Sequence, residues 1–539
     1  MSQVLIAAAG LLLVYLLVKW LKDPIRKIPG PPGLPLLGNV LSMELLNLHN
    51  QFYEMARKYG AVMKVKIFSK PVVILNSREA CLEALTKTGT DFQGRPHLPR
   101  MLMITAKDPA SMTLCEQQVK LRRLFTKAMS AFGPGIRHLE DIMQETILDM
   151  IEDIDRNDGE AIDTERLCVG YVCCIIASMV FGEKHSYDDD VCQEISKMNT
   201  LAIKASDPLS SGAVFDIFPF LLRFRFLFPE FCHDVDAAQS LVDELVKVKV
   251  QQAKESFDAQ QKRGCLDYFI EVQQKQEVDK DGRPLLDDEE MKGMVFAFIA
   301  AGLETSRRSL AQIFLDLLRD PVLQKALQAE IDSQFETTHF ITLKDKYVVM
   351  QTYQRLAQQT LPSSVVLPNR SFVRQLCLPS CLVMPDKLPQ LEAYMLEHFR
   401  YLTQAPFLFP HMTIRETQVA GFKIPANTTV LINSYYAAHN PDVYDDPFTV
   451  QPKRFLDKNG QLVDREHPLR QNFFGFGAGR RACPGEHLAR SRIFLFLANI
   501  LQKYDLELQD ELPEDDVRKY PLSILLTPPS VKVRFIRRC

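Results

Sequence analysis

The chain opens on an uninterrupted apolar run from Val4 to Val18, which Trp20 and Leu21 extend past Lys19. Its length is near the lower limit for a membrane-spanning helix. Only Ser2 and Gln3 precede it with polar side chains, whereas Lys19, Lys22, Arg26 and Lys27 follow closely. Positive charge after the span sets the rest of the chain on the cytosolic side. A cleaved signal peptide is the competing reading, but neither a basic n-region nor a clear small-residue cleavage site is present. Residues 1–22 are therefore expected to be an uncleaved anchor. Residues 23–39 follow as a proline-rich elbow, with four prolines between Ile28 and Pro35. Each proline ring fixes φ and removes a donor, so no helix continues through them.

Beyond the elbow the pattern changes to that of a globular body spanning 40–539. Val62 to Ile67 alternates and Pro71 to Leu75 is a short β-branched run, which predicts two strands of one small sheet. From about Leu121 to Leu327 apolar residues recur at spacings of three and four, as in Ile142–Ile154 and Ala237–Val250, and predict helices. A long helix is expected from the acidic stretch Asp287–Glu290 to about Arg319, because carboxylates suit its positive N-terminus. Short strands and turns should occupy Thr413–Ile432, and a last apolar helix His487–Leu501. No repeat or composition break divides this body. The fold class expected is one large, mainly α domain with a small β region.

Composition narrows little. Of 539 residues, 46% are hydrophobic and 24% charged, which is ordinary for a globular chain. A formal charge of -3 gives no reason to expect nucleic acid as a partner. Twelve cysteines form no CxxC pair and no regular frame, so a disulfide scaffold or zinc ribbon is not expected. Most should be reduced core residues.

Cys483 stands apart because of its neighbours. It lies in Phe474-Gly-Phe-Gly-Ala-Gly-Arg-Arg-Ala-Cys-Pro-Gly-Glu486, where four glycines allow tight turns and close approach to a flat ligand. A thiolate there can accept backbone N–H bonds, which lower its pKa, and the following helix adds its positive end. Arg481 can pair with an anionic group of the ligand. Phe476-x-x-Gly479-x-Arg481-x-Cys483-x-Gly485 resembles in full the haem-binding signature of the cytochrome P-450 superfamily. A structural cysteine in a glycine-rich loop is the bland alternative.

What the resemblance implies is specific. The fold would be that of the family, behind the N-terminal helix. Cys483 would be the axial ligand of the iron in haem b, and its thiolate would favour O–O cleavage. Phe476, Gly477, Arg481 and Ala301 would line the cofactor, with Arg95, Arg122 and His411 as candidates to meet its propionates. The family places a tryptophan where this chain has Gln118, which puts one propionate contact in doubt. Glu397-His-Phe-Arg400 matches the structural Glu-x-x-Arg pair, and Pro452-Lys-Arg454-Phe455 supplies the arginine that joins it. Ala301-Gly-Leu-Glu304-Thr305 resembles the oxygen-activation motif, in which Thr305 and Glu304 would manage protons. Read alone, Thr305 would simply bond back to a carbonyl one turn earlier.

The motif order resembles the microsomal group that includes steroid 17α-hydroxylase and the aryl-hydrocarbon hydroxylases. The implied reaction is RH + O2 + two electrons + two protons giving ROH and water. Substrates would be lipophilic, steroid-like compounds first, with 101–114 and 199–228 as pocket and access regions. An NADPH-dependent flavoprotein reductase of the endoplasmic reticulum membrane would supply electrons, with cytochrome b5 as a further donor. Arg122, Arg123 and Lys127 would contribute to its basic docking surface. The alternatives are an electron-independent haem-thiolate isomerase or dehydratase, or a haem-binding membrane protein without monooxygenase activity.

Residues 347–387 do not fit. The resemblance runs to Lys346 and resumes at Leu388, and Asp-Lys occurs on both sides, at 345–346 and 386–387. Loops this long inside a domain are uncommon. The segment is expected to be a retained intron or a surface insertion. Its Cys377 and Cys381 lack a second ligand pair nearby for a metal.

Overall fold

Why the body folds around one helix is visible at that helix's start. Asp287 accepts the N–H of Glu290 while the Glu290 carboxylate accepts that of Asp287, a reciprocal cap that satisfies two otherwise orphaned donors. The helix it begins, Asp288–Arg319, is buried along most of its length. The computed structural model describes residues 25–34, 36–68, 70–104, 115–130, 137–207, 209–278, 282–346, 387–514 and 516–538. The anchor at 1–22, residues 23, 24 and 35 of the elbow and 347–386 of the 347–387 segment lie outside the described residues, as does the Gln118 side chain.

In chain order the principal helices are α1 (Leu48–Tyr59), α2 (Cys115–Ser130), α3 (Arg137–Arg156), α4 (Thr164–Phe181) and α5 (Asp190–Ser206). They continue with α6 (Pro229–Glu255), α7 (Cys265–Gln274), α8 (Asp288–Arg319), α9 (Pro321–Gln334), α10 (Pro389–Leu402) and α11 (Glu486–Lys503). The main core lies where α3, α4, α8 and α11 meet, around Ile175, Ile299, Phe314 and Phe496. By length and composition α4 could cross a membrane, yet Tyr171 to Phe181 are all buried in this core.

The strands are few. β1 (Val62–Ile67) pairs antiparallel with β2 (Lys70–Leu75), and β2 pairs parallel with β7 (Thr429–Ile432), whose other edge takes β4 (His411–Met412). β3 (Ile162–Asp163), β9 (Lys532–Arg537) and β8 (Tyr504–Leu508) form a second sheet, and β5 (Thr417–Val419) and β6 (Phe422–Ile424) a hairpin. The mainly α class with a small β region is therefore as expected.

Two connections refine the sequence reading. The described part of the elbow packs onto the body: Ile25 and Ile28 are buried beside Val62 and Val73. The N–H of Lys64 donates to Pro29 O at 2.8 Å and its Nζ to Ile25 O at 2.7 Å. A Cβ at Gly30 would lie 2.1 Å from Lys64 O, so only glycine lets the elbow approach β1 this closely. At the other connection, Lys387 N donates to Lys346 O at 3.3 Å, which brings the two ends of the unexplained segment together.

The Glu-x-x-Arg pair is buried as expected. Arg400 Nε and Nη2 donate to the Glu397 carboxylate at 2.7 and 2.8 Å, and Arg454 Nε joins at 3.0 Å. Arg400 Nη1 reaches Ala438 O and Pro447 O as well, so both charges keep partners in a dry site.

Candidate functional site

The loop before α11 is closed back on itself by a hydrogen bond from Cys483 N–H to Phe476 O at 2.7 Å. Gly477 and Gly479 turn it with φ of 74° and 65°, and a Cβ at Gly479 would lie 2.0 Å from Leu85 O. Glycine is required there twice over, for the conformation and for the approach. The turn leaves the Cys483 side chain exposed. Dense packing behind the sulfur still pushes its thiol up, while the N–H groups of Gly485 and Glu486 and the Arg122 guanidinium pull the other way. Those N–H groups belong to the start of α11, which is the geometry that favours a thiolate once a cation binds it. Arg122 itself donates to Ala482 O.

Behind Phe476 a second contact ties the loop to α10. The Phe476 and Phe399 rings meet edge to face at 5.3 Å, and Arg490 lies over both, 4.8 Å from Phe399 and 4.9 Å from Phe476. Phe399 sits between Glu397 and Arg400, so the buried ion pair fixes the platform on which the loop rests.

Basic groups converge near this loop. Arg481 donates through Nε and Nη2 to Gln93 O, at 3.1 and 2.6 Å, and Arg95 Nη1 donates to Phe409 O and Pro410 O. Burial, with Arg481 and Arg122 adding, lowers Arg95 to about 9. His411 Nδ1 lies 2.7 Å from Phe92 O, and burial, reinforced by Arg95, lowers its pKa to about 3. A neutral His411 therefore donates one N–H to Phe92. Ala84, Leu85, Phe92, His411, Ala478 and Arg481 line one shared recess.

On α8 the burial pattern breaks at Ala301, which is exposed in the middle of an otherwise buried helix. One turn later Thr305 Oγ1 donates to Ala301 O at 2.7 Å, the local bond that such a threonine adopts by default. Glu304 points elsewhere. Only 2% exposed, it accepts from Arg307 Nε and Nη2 at 2.7 Å each, from Arg308 and from Asn199 at 3.0 Å. Burial alone would raise its pKa, but Arg308 and Arg307 hold it below the usual carboxylate value.

The structure thus brings Arg95, Arg122, Arg481 and His411 to one region beside Cys483, and Ala301, Glu304 and Thr305 to one turn of α8. Exposed Ala301 and Cys483, with guanidiniums gathered beside the thiol, suit a flat anionic ligand carrying a thiophilic metal. The profile of the family described as Cytochrome P-450 matches residues 28–347 and 378–535.

The chain belongs to the cytochrome P-450 family. It is similar to cytochrome P-450 1A1 of Platichthys flesus, 28% identical over 522 residues that cover 93% of this chain and 90% of that protein. Against cytochrome P-450 2M1 of Oncorhynchus mykiss it is 27% identical over 483 residues, 89% of this chain and 86% of the other. Against cytochrome P-450 1A1 of Canis lupus familiaris the figures are 27%, 542 residues, 97% and 93%. As a cytochrome P-450 the chain is a monooxygenase that binds haem b through a cysteine thiolate.

Several residues of this P-450 site escape the sequence pattern. Asn199 reaches Glu304 from α5, and Gln404 Nε2 donates to Thr305 O at 2.8 Å. Both are distant in sequence, and nothing local marks them. Arg490 and Arg492 did carry a signal: each interrupts the apolar run of the last helix.

Proposed function

We propose that this monooxygenase is anchored in the endoplasmic reticulum membrane and inserts one oxygen atom of O2 into a lipophilic substrate, taking electrons from an NADPH-dependent flavoprotein reductase. The observation that carries the site assignment is the exposed Cys483 thiol at the start of α11, faced by the N–H groups of Gly485 and Glu486 and by Arg122. In this reading Cys483 holds the iron of haem b, which when bound supplies one-electron and dioxygen chemistry. Arg95, Arg481 and His411 orient its carboxylates, and Phe476 and Gly477 carry the loop beneath it. Ala301 leaves room beside α8, and the Thr305 hydroxyl holds a proton at Oγ1 that it can redirect from Ala301 O. Glu304, kept ionised by Arg308 and Arg307, holds no proton at rest; in this reading it relays one toward Thr305 only in transit.

Residues 101–114 and 199–228 are proposed as parts of the substrate pocket and its access path, although 105–114 and 208 lie outside the described residues. Met101, Ile104, Ala202, Ala205 and Phe215 pack into one apolar cluster, which supports that reading. The relatives above are named as cytochromes P-450 1A1 and 2M1, so the steroid-like assignment rests on the motif order alone. Exposed Leu36, Leu41, Phe220, Phe226 and Leu227, with Phe68 against Phe218 at 5.3 Å, offer an apolar face suited to a membrane surface. Arg123 and Lys127 are exposed on α2 for the reductase or cytochrome b5, whereas Arg122 is turned toward the cysteine loop. Purified protein with reductase should consume NADPH and oxidise members of a steroid and polycyclic aromatic panel. Carbon monoxide binding without any NADPH-dependent product would favour the non-catalytic alternative.

A further inference from the structure

Arg492 on α11 is 1% exposed. Two other buried arginines here have carboxylates: Arg308 has Glu304 and Arg400 has Glu397. Among the described residues no carboxylate pairs with Arg492, and its Nε and Nη1 make no hydrogen bond. Burial lowers its pKa to about 10, which leaves it a cation at neutral pH. An uncompensated buried charge is costly and persists only where something else is gained.

Its one bonded nitrogen identifies what that is. Arg492 Nη2 donates to Gly302 O at 3.1 Å and to Ser306 Oγ. These two atoms bracket Leu303, Glu304 and Thr305. In the same stretch Thr305 Oγ1 bonds Ala301 O and Gln404 Nε2 bonds Thr305 O. Three carbonyls of one α8 segment, those of 301, 302 and 305, therefore each accept a side-chain donor. On the α4 side, a Cβ at Gly302 would lie 2.6 Å from Ile176 Cδ1, so the helix is pressed close from there too.

We propose that Arg492 is a positioning residue for oxygen activation: its cation, fixed on the Gly302 carbonyl and the Ser306 hydroxyl, sets the shape of the 301–305 turn and the electric field at the Thr305 hydroxyl. This rests on the reading of Thr305 as the proton-handling group. A cation behind the turn makes proton donation from Thr305 easier. It also repels protons approaching from the α11 side, which leaves the Glu304 side as the route of supply. In a dry interior such a fixed charge acts far more strongly than in water.

The test uses holoenzyme with reductase and the variants Arg492→Lys, Arg492→Gln and Arg492→Met, alongside Thr305→Ala. Two quantities are read per haem: the C–O stretching frequency of the reduced carbon monoxide complex, and hydrogen peroxide released per NADPH. Arg492→Lys should stay near wild type. Arg492→Gln and Arg492→Met should shift the stretch and raise peroxide by about twofold or more, because a preorganised charge is gone. Arg492→Met should also unfold at higher urea, since the unpaired charge is removed. Unchanged stretch and coupling in Gln and Met, or loss of haem in all three variants including Lys, would mark a packing role and overturn the proposal. If Thr305→Ala leaves coupling intact, the Thr305 reading fails instead, and the stretch in the Arg492 variants still reports its field.

Discussion

The backbone N–H of Lys387 donates to the carbonyl of Lys346 at 3.3 Å, so the chain leaves and re-enters the body at one point. The family profile pauses after 347 and resumes at 378, within the same interval. Loop-closure entropy grows slowly with length, so an excursion between joined ends is tolerated thermodynamically. Replacing 347–386 by a short glycine-serine linker should keep or raise haem content per protein, measured by absorbance. An insoluble or haem-free product would make the segment integral.

The elbow sets where the body begins. Ile25 and Ile28 are buried, and Lys64 holds the segment at two carbonyls. Deleting residues 2–22 should weaken membrane attachment in a flotation assay but leave haem binding intact. Extending the deletion to residue 30 should lower the unfolding midpoint, because it strips buried isoleucines worth roughly 2 kcal/mol each or more. Equal stability of the two truncations would contradict this account.

Arg400→Ala leaves Glu397 buried with a single arginine and empties part of the platform under Phe399. A cost of about 3 kcal/mol is expected, the lower end for breaking a buried pair, because Arg454 still partners Glu397. Urea unfolding of the haem-loaded protein reads it directly, and haem loss should accompany unfolding. A midpoint within error of wild type would show that the pair is dispensable.

Much of this was legible in the sequence, for identifiable reasons. Alternation placed β1 because one face is buried and side chains alternate with period two. The acidic Asp287–Glu290 stretch marked the start of α8 because caps are local chemistry. Cys483 and four spaced residues around it marked the loop because each is demanded by a turn or a contact. What stayed hidden depends on packing between distant segments. Asn199 and Gln404 meet the Glu304–Thr305 pair only once α5 and the chain after α10 are folded against α8. Nothing in the oxygen motif marks Glu304 as buried, although Arg307 and Arg308 at the next turn enclose it. The docking of the elbow on Lys64 left no side-chain signal within the elbow, because it contributes only the carbonyls of Ile25 and Pro29.

That enclosure has a pH consequence. The folded pKa of Glu304 lies below its usual value of 4.5, so the unfolded chain takes up the proton first. The stabilisation from its ion pairs is complete above about 4.5 and is lost as pH falls through the lower folded value. Glu304→Gln removes this dependence. The urea midpoint of the wild type should fall more steeply than that of the variant on acidification below 4.5. Parallel slopes would contradict the pairing with Arg307 and Arg308.

The central claim is that Cys483, alone among the cysteines, ligates the haem iron. The reduced carbon monoxide difference spectrum of Cys483→Ala, compared with wild type at matched protein concentration, tests it most directly. Wild type should show the long-wavelength Soret band of thiolate ligation and the variant none, with monooxygenase activity lost. A variant that keeps that band would mean that another residue holds the iron, and the assignment of the site would be wrong.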